Sequence, residues 1–164
     1  MWAHNNHINR DPKFRPNFLD APYRFDYSLS AGEPTPKPMG VFLVNTHRKD
    51  LYTIGFEFNQ GSFLTQFFDR PGGNLTVKEA TLGPAPIGTL PYTLAQTGIP
   101  LYFVDFSKSL QNDVVQRWLK SRQKAHFYGG LMTSKRSFEE IRPAESYDAL
   151  VFVEKTSRAV PLSK

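Results

Sequence analysis

Two histidines three positions apart near the start of the chain are the side chains best suited to chemistry. They occur in the run His4-Asn5-Asn6-His7. Imidazole exchanges a proton near neutral pH, because its unperturbed pKa is about 6.5, so it serves as a general acid or base. We expect this run to form the end of a strand and the start of a loop. Both imidazole rings would then point into one pocket at the carboxyl end of the sheet. Asn5 would then orient an imidazole or donate a hydrogen bond to a developing oxyanion.

Two other interpretations of this motif stay open. In the first, His4 is a hydrogen-bonded core residue and His7 a surface residue, since histidine fills many structural roles. In the second, the pair binds a metal ion. Zinc requires a third or fourth ligand, and Glu57 or Asp105 would supply it if the fold brings them close.

The remaining candidate residues carry weaker signals. His47 falls in the last turn of a predicted helix, where the helix dipole favours a positive charge. His126 begins a short apolar run and is predicted to be packed. Ser62 lacks the flanking glycines of a Gly-x-Ser-x-Gly nucleophile elbow. Residues 72–74 (GGN) form no phosphate loop, because neither Lys-Ser nor Lys-Thr follows them.

Short helices and strands alternate along the chain. The helical patterns cover residues 39–47, 90–96 and 112–122, and the strand patterns cover residues 51–58, 62–68, 75–82, 101–106 and 147–153. Thr89 and Asn112 are expected helix caps. Residues 59–61 (NQG) predict a turn and hence a hairpin. The nearly continuous apolar run 101–106 predicts a strand buried on both faces. We therefore predict an α/β fold, a mixed sheet with flanking helices.

A proline-rich and aromatic loop is predicted at residues 11–38. It contains six prolines, which interrupt helices and central strands alike. It also contains five aromatic residues, a content that favours packing over a disordered linker. With 164 residues in total, the chain has the length of one domain, which we place at residues 1–164.

The composition excludes several classes of binding partner and of chemistry. There are 20 Lys and Arg residues against 15 Asp and Glu residues, but they are scattered, so we expect no nucleic-acid binding. Cysteine is absent, which excludes disulfides and thiolate chemistry. No apolar run approaches the roughly 18 residues of a membrane span, and the start lacks a signal-peptide pattern. We expect a cytoplasmic protein without membrane contact and without a cofactor.

Four blocks, in order along the chain, resemble the erythromycin esterase family. The opening block matches that family's Trp-Ala-His-Asn-x-His motif and is the most specific. The blocks are residues 2–10 (WAHNNHINR), 51–63 (LYTIGFEFNQGSF, preceded by Met39-Gly40), 100–106 (PLYFVDF) and 147–156 (YDALVFVEKT, followed by Pro161-Leu162). The resemblance extends from residue 2 to about residue 162.

The resemblance implies a hydrolase of carboxylic esters, such as a macrolide lactone, that uses a histidine-activated water without a required metal. It assigns the catalytic roles to His4, as the base, and His7, as a second polar contact, with Asn5 and Arg10 as substrate contacts. Family members are more than twice this length and carry a further histidine and glutamates in a long N-terminal region. The chain is therefore expected to be the incomplete C-terminal portion of a larger α/β domain.

That incompleteness leaves three further alternatives. The chain is an inactive remnant, or a subunit that requires a separate N-terminal portion, or a module that binds an apolar ligand through residues 11–38 without cleaving it. An unpaired sheet edge, where missing strands would pair, favours self-association of the isolated chain.

Overall fold

The described part of the chain consists of short helices and two β-sheets. A computed structural model describes residues 3–14, 37–68, 74–109, 111–126 and 138–160. The helices are α1 (Asn5–Ile8), α2 (Met39–His47, followed by a 3-10 turn, Arg48–Asp50), α3 (Leu90–Ala95), α4 (Phe106–Ser109), α5 (Asp113–Lys120) and α6 (Pro143–Ser146). The strands are β1 (Ile54–Phe68), β2 (Leu75–Leu82), β3 (Leu101–Asp105), β4 (Gln123–His126), β5 (Phe138–Ile141) and β6 (Ala149–Thr156).

The larger sheet is mixed, with the strand order β2-β1-β6-β3. β1 and β6 run parallel, whereas β2 pairs antiparallel with β1 and β3 antiparallel with β6. β4 and β5 form a separate antiparallel pair. This architecture confirms the predicted α/β class with a mixed sheet and flanking helices. The main core contains Phe14, Leu90, Phe106, Leu119, Ile141, Tyr147, Leu150 and Phe152.

The hairpin predicted around residues 59–61 is wrong, because β1 continues through them as one strand of 15 residues. Its first half pairs with β6 as far as Gly61, opposite Thr156, and its second half pairs with β2 from Gly61 onward. Gly61 has a φ of +124°, a conformation that favours glycine. A Cβ there would also collide with the backbone of Thr156. The glycine therefore permits the exchange of partner strands instead of reversing the chain.

Other elements follow the sequence patterns closely. Helix α2 has the predicted bounds. Thr89 Oγ1 accepts a hydrogen bond from the backbone N–H of Tyr92 at 3.3 Å, and Asn112 Oδ1 accepts one from the backbone N–H of Val114 at 3.0 Å, so both predicted caps are confirmed. β4, β5 and α6 were not predicted, because each has four residues and too little periodicity to detect.

The prediction that β3 is buried on both faces is wrong. Leu101 is 63% exposed and Phe103 is 52% exposed. Phe103 lies opposite Val151 in β6, and Phe56 lies opposite the same residue from β1. Alternate residues of a strand face one side of its sheet, so these side chains share a face that the described residues leave largely uncovered. Self-association through an exposed part of the sheet stays a prediction.

Most of the predicted loop at 11–38 lies outside the described residues, as do residues 71–73. Its first described residues are well packed. Asp11 is buried and accepts two hydrogen bonds from the Arg142 guanidinium, at 2.7 and 2.6 Å. In the part of the chain that the structure describes, no helix has the length and apolar character needed to cross a membrane.

Replacing Gly61 with alanine is expected to destabilise the fold by about 2 kcal/mol or more, since the φ of Gly61 strains any L side chain and the new Cβ meets Thr156. Gly83→Ala is the matched control. A Cβ at Gly83 meets nothing within 4 Å, so its change should stay within about 0.5 kcal/mol. Denaturant unfolding of both variants measures the difference, and equal stability would contradict this role of Gly61.

Candidate functional site

The two motif histidines lie on one helical turn. His4 is the N-cap of α1, and its Nδ1 accepts a hydrogen bond from the backbone N–H of Asn6 at 3.3 Å. The centroids of the His4 and His7 rings are 6.3 Å apart, with the ring planes at 82°. The structure thus brings the two rings together, as the spacing predicts. The expected loop is a helical turn instead, which places residues i and i+3 on the same side.

His4 is held in its neutral form by its surroundings. Burial lowers the pKa of His4, and the neighbouring His7 lowers it further. Because Nδ1 accepts the hydrogen bond from Asn6, the neutral ring carries its proton on Nε2. His4 therefore presents an N–H donor, whereas the His7 side chain is exposed.

Asn5 anchors the turn to the sheet. Its Nδ2 donates to the carbonyl oxygen of Phe56 at 2.6 Å, and its Oδ1 accepts from the Phe56 N–H at 3.0 Å. The amide thus pairs with β1 much as a residue of a neighbouring strand would. The structure therefore places the Asn5 side chain on the backbone of β1, and its predicted contact with a substrate stays a prediction.

Arg10 binds the segment that precedes β6. Its Nη1 forms an ion pair with Asp148 Oδ1 at 2.6 Å, and its backbone N–H donates to the carbonyl oxygen of Ser146 at 3.1 Å. Asp148 Oδ2 accepts from the backbone N–H and the hydroxyl of Thr53, at 2.7 and 3.1 Å. Arg10 thereby fixes the end of the motif against the segment that leads into the sheet. Its predicted contact with a substrate stays a prediction.

Helix α2 packs closely against the end of the motif. A Cβ added to Gly40 would collide with the carbonyl oxygen of Ile8. The glycine therefore permits a backbone approach that other residues would block. The Met39-Gly40 pair noted in the sequence thus has a structural explanation in the packing of α2 on α1.

A buried acid–histidine pair lies on β1 and β4, and the sequence analysis missed it. Glu57 Oε1 lies 2.6 Å from His126 Nδ1, and Glu57 Oε2 accepts from the His126 backbone N–H at 3.0 Å. Both side chains are 3% exposed. The imidazole stacks between Phe58 and Phe138, each with a centroid distance of 4.9 Å. His126 is packed, as predicted, but it is paired with an acid.

A second buried acid, Glu139, contacts the histidine turn. It is 2% exposed, and its Oε2 accepts a hydrogen bond from Asn6 Nδ2 at 3.4 Å. Burial raises the pKa of Glu139 to about 8, with a further rise from Glu57 and an opposing effect of the Asn6 hydrogen bond. Glu139 is therefore mostly protonated at neutral pH, a neutral acid in contact with the residue between the two histidines.

Tyr147 completes the support of the turn. Its hydroxyl donates to the carbonyl oxygen of Asn5 at 3.4 Å. A Cβ on Gly55 would lie 2.7 Å from the Tyr147 ring, so the glycine makes room for this ring. Burial raises the pKa of the Tyr147 hydroxyl, and the acids Glu139 and Glu57 raise it further. Tyr147 therefore stays protonated as a hydrogen-bond donor.

Among the described residues, the interpretation of the motif as part of a metal site finds no additional ligand. Within the described ranges, no three His, Asp or Glu side chains form a group that could hold a metal ion. The Asp105 carboxylate accepts from the Ser107 hydroxyl at 2.6 Å, and Glu57 faces His126. Neither acid joins His4 and His7.

The buried acid Glu139 makes stability depend on pH. The folded protein keeps a proton on Glu139 between pH 4.5, the ordinary pKa, and about pH 8, while the unfolded chain has lost it. Stability should therefore fall as the pH rises through this window, by roughly 5 kcal/mol at most, at about 1.4 kcal/mol for each pH unit.

Glu139→Gln is the matched variant, because it is neutral at every pH. Urea unfolding at several pH values should show that the difference in stability between the two proteins changes across the window and levels off above it. A difference that does not vary with pH would contradict the raised pKa of Glu139.

The sequence has a clear family match. The profile of the erythromycin esterase family matches residues 1–156. No curated protein matches the sequence.

Several solved structures resemble this fold. A succinoglycan biosynthesis protein is 21% identical with a TM-score of 0.67, and the match covers 95% of this chain and 32% of that protein. A protein from Bacillus cereus is 20% identical with a TM-score of 0.71, and the match covers 95% and 33% of the two chains. A mutant erythromycin esterase in an open conformation is 18% identical, with a TM-score of 0.48 and coverages of 93% and 30%. The chain thus spans about a third of the length of the solved structures it matches.

Proposed function

The chain belongs to the erythromycin esterase family, and from that premise we propose that its histidine turn takes part in the hydrolysis of a carboxylic ester. The observation that carries the proposal is the pairing of His4 and His7 on one turn above a buried acid. A macrolide lactone is the substrate that the family name suggests, and other esters of similar chemistry are alternatives.

The hydrogen bonds of His4 favour different catalytic roles for the two imidazole rings. His4 carries its proton on Nε2, so it is suited to donate to the carbonyl oxygen of an ester and to stabilise its developing negative charge. His7 is exposed and is suited to take a proton from an attacking water. We therefore propose the reverse of the roles expected from the family resemblance, in which His4 was the base.

The reaction then proceeds in two steps. Water attacks the carbonyl carbon, its proton passes to His7, and the carbonyl oxygen becomes an oxyanion that faces the N–H of His4. The tetrahedral intermediate collapses, the bond between carbon and the alcohol oxygen breaks, and the leaving oxygen takes the proton from His7. The products are a carboxylic acid and an alcohol, and both imidazoles return to their initial states.

The proposal extends beyond the residues of this chain. The match covers 32–33% of the two solved relatives with the higher TM-scores, so further groups of a complete site are expected on polypeptide that this sequence does not include. An active chain would show that the histidine turn suffices. A folded chain that binds an ester without product would favour the ligand-binding function instead.

Hydrolysis by the purified chain tests the roles of the two rings. His7→Gln is expected to lower kcat/KM by about 10²–10⁴-fold, since it eliminates the base. His4→Asn keeps an N-cap oxygen for α1 and should lower kcat by about 10²–10³-fold, since it removes the donor to the oxyanion.

His47→Gln is the control, since His47 is exposed at the end of α2 and should leave the rate unchanged. Mass spectrometry of the product, heavier than the lactone by one water, measures ring opening of a macrolide, and a chromogenic ester gives the rates. Full activity of His7→Gln would contradict its role as the base. A loss of kcat/KM in His4→Asn that exceeds the loss in His7→Gln would restore the roles expected from the resemblance.

A further inference from the structure

We propose that Glu139 is a positioning residue of this site, whose buried carboxyl accepts a hydrogen bond from Asn6 and thereby holds the turn that carries His4 and His7. A change at the Glu139 carboxyl is therefore expected to alter that turn. The inference rests on the proposed function for its consequence in catalysis, since it concerns the same two imidazoles.

Asn6 is the residue that connects the buried acid to the histidines. Its backbone N–H donates to His4 Nδ1, and its side chain donates to Glu139 Oε2. Asn6 also lies between the two histidines in the sequence. A movement of its side chain therefore changes the hydrogen bond that fixes the tautomer and orientation of His4.

The titratable groups near Glu139 come from three parts of the fold, namely Glu57 on β1, His126 on β4 and Tyr147 between α6 and β6. Asn6 of α1 contacts Glu139 directly and connects it to the two motif histidines. Glu57 accepts from the N–H of Phe58 and of His126 and pairs with the His126 ring, at 3.0, 3.0 and 2.6 Å.

Two acids that share a buried site rarely ionise together, because each charge opposes the other. Burial and the neighbouring Glu57 raise the pKa of Glu139 to about 8, against the opposing effect of the Asn6 hydrogen bond. Glu139 therefore keeps its proton at neutral pH.

The hydrogen bond from Asn6 depends on the charge of Glu139. Among the described residues, the buried Asn6 Oδ1 has no hydrogen-bond partner, so the side chain of Asn6 is held through its Nδ2. Burial raises the pKa of Glu139 and this hydrogen bond opposes the rise, because the amide donates to Oε2 and favours the ionised carboxyl. Ionisation of Glu139 is therefore expected to strengthen the hydrogen bond, since a carboxylate is the stronger acceptor, and to change the environment of the turn.

Glu139→Gln separates this positioning role from simple packing. Glutamine offers a donor and an acceptor in the same places, but it does not titrate. Glu139→Met has a similar length and offers no strong hydrogen bond. We expect Glu139→Gln to preserve the turn at every pH and Glu139→Met to disturb it at every pH.

Nuclear magnetic resonance of the isotope-labelled chain reports directly on the environment of the residues in the turn, and it needs no substrate. The ring Cε1–H signals of His4 and His7 would be followed from about pH 6 to about pH 10. In the native chain we expect a second inflection near pH 8, shared by the Asn6 side-chain amide. It should be absent from Glu139→Gln, and the exposed His47 should not show it in either protein.

Two results would overturn the inference. The first is a native chain without the inflection, and the second is an inflection that persists unchanged in Glu139→Gln. Where hydrolysis is measurable, the native rate should change near pH 8, and that change should be absent from Glu139→Gln. Because the resonance titration does not depend on turnover, a chain that cleaves no ester can still confirm or contradict the role of Glu139.

Discussion

The pairing of the Asn5 amide with the backbone of Phe56 holds the histidine turn on β1, and the rest of the site is arranged around that contact. On either side of Phe56, Gly55 leaves space for the Tyr147 ring and Glu57 binds His126. β1 is itself fixed on both sides, by β6 along its first half and by β2 along its second. The constraint is therefore that one strand must accommodate a ring, an amide and a buried carboxyl group within three positions.

The buried acids show how the fold tolerates charge in its interior. Burying a lone carboxylate is costly unless it is paired and hydrogen-bonded. Glu57 meets that condition with two backbone N–H groups and an imidazole. Burial raises the pKa of Glu139 to about 8, and a protonated acid loses far less hydration on burial than a charged one. The protonation of Glu139, and with it the stability of the fold, therefore depends on pH.

Local patterns in the sequence predicted the caps of α3 and α5, the bounds of α2 and the mixed α/β class, because those features depend on neighbouring residues. The pairing of Glu57 with His126 spans 69 positions, and no local pattern encodes it. A charged residue between Phe56 and Phe58 was nevertheless a usable signal, since a charge in an aromatic strand requires a buried partner. The predicted turn at 59–61 failed because Gly61 relieves a close contact with β6 instead of reversing the chain.

The chemistry available to His4 follows from the helical turn, which the sequence did not predict. In an open loop, either ring nitrogen of a histidine is able to face a substrate. As the N-cap of α1, His4 uses Nδ1 to accept the N–H of Asn6. A neutral imidazole carries one proton, which must then sit on Nε2. In the proposed mechanism, a residue that the sequence motif suggests as a base is thereby suited to act as a donor, and the exposed His7 is the proton acceptor. That division of roles follows from the backbone conformation around the motif more than from its residue types.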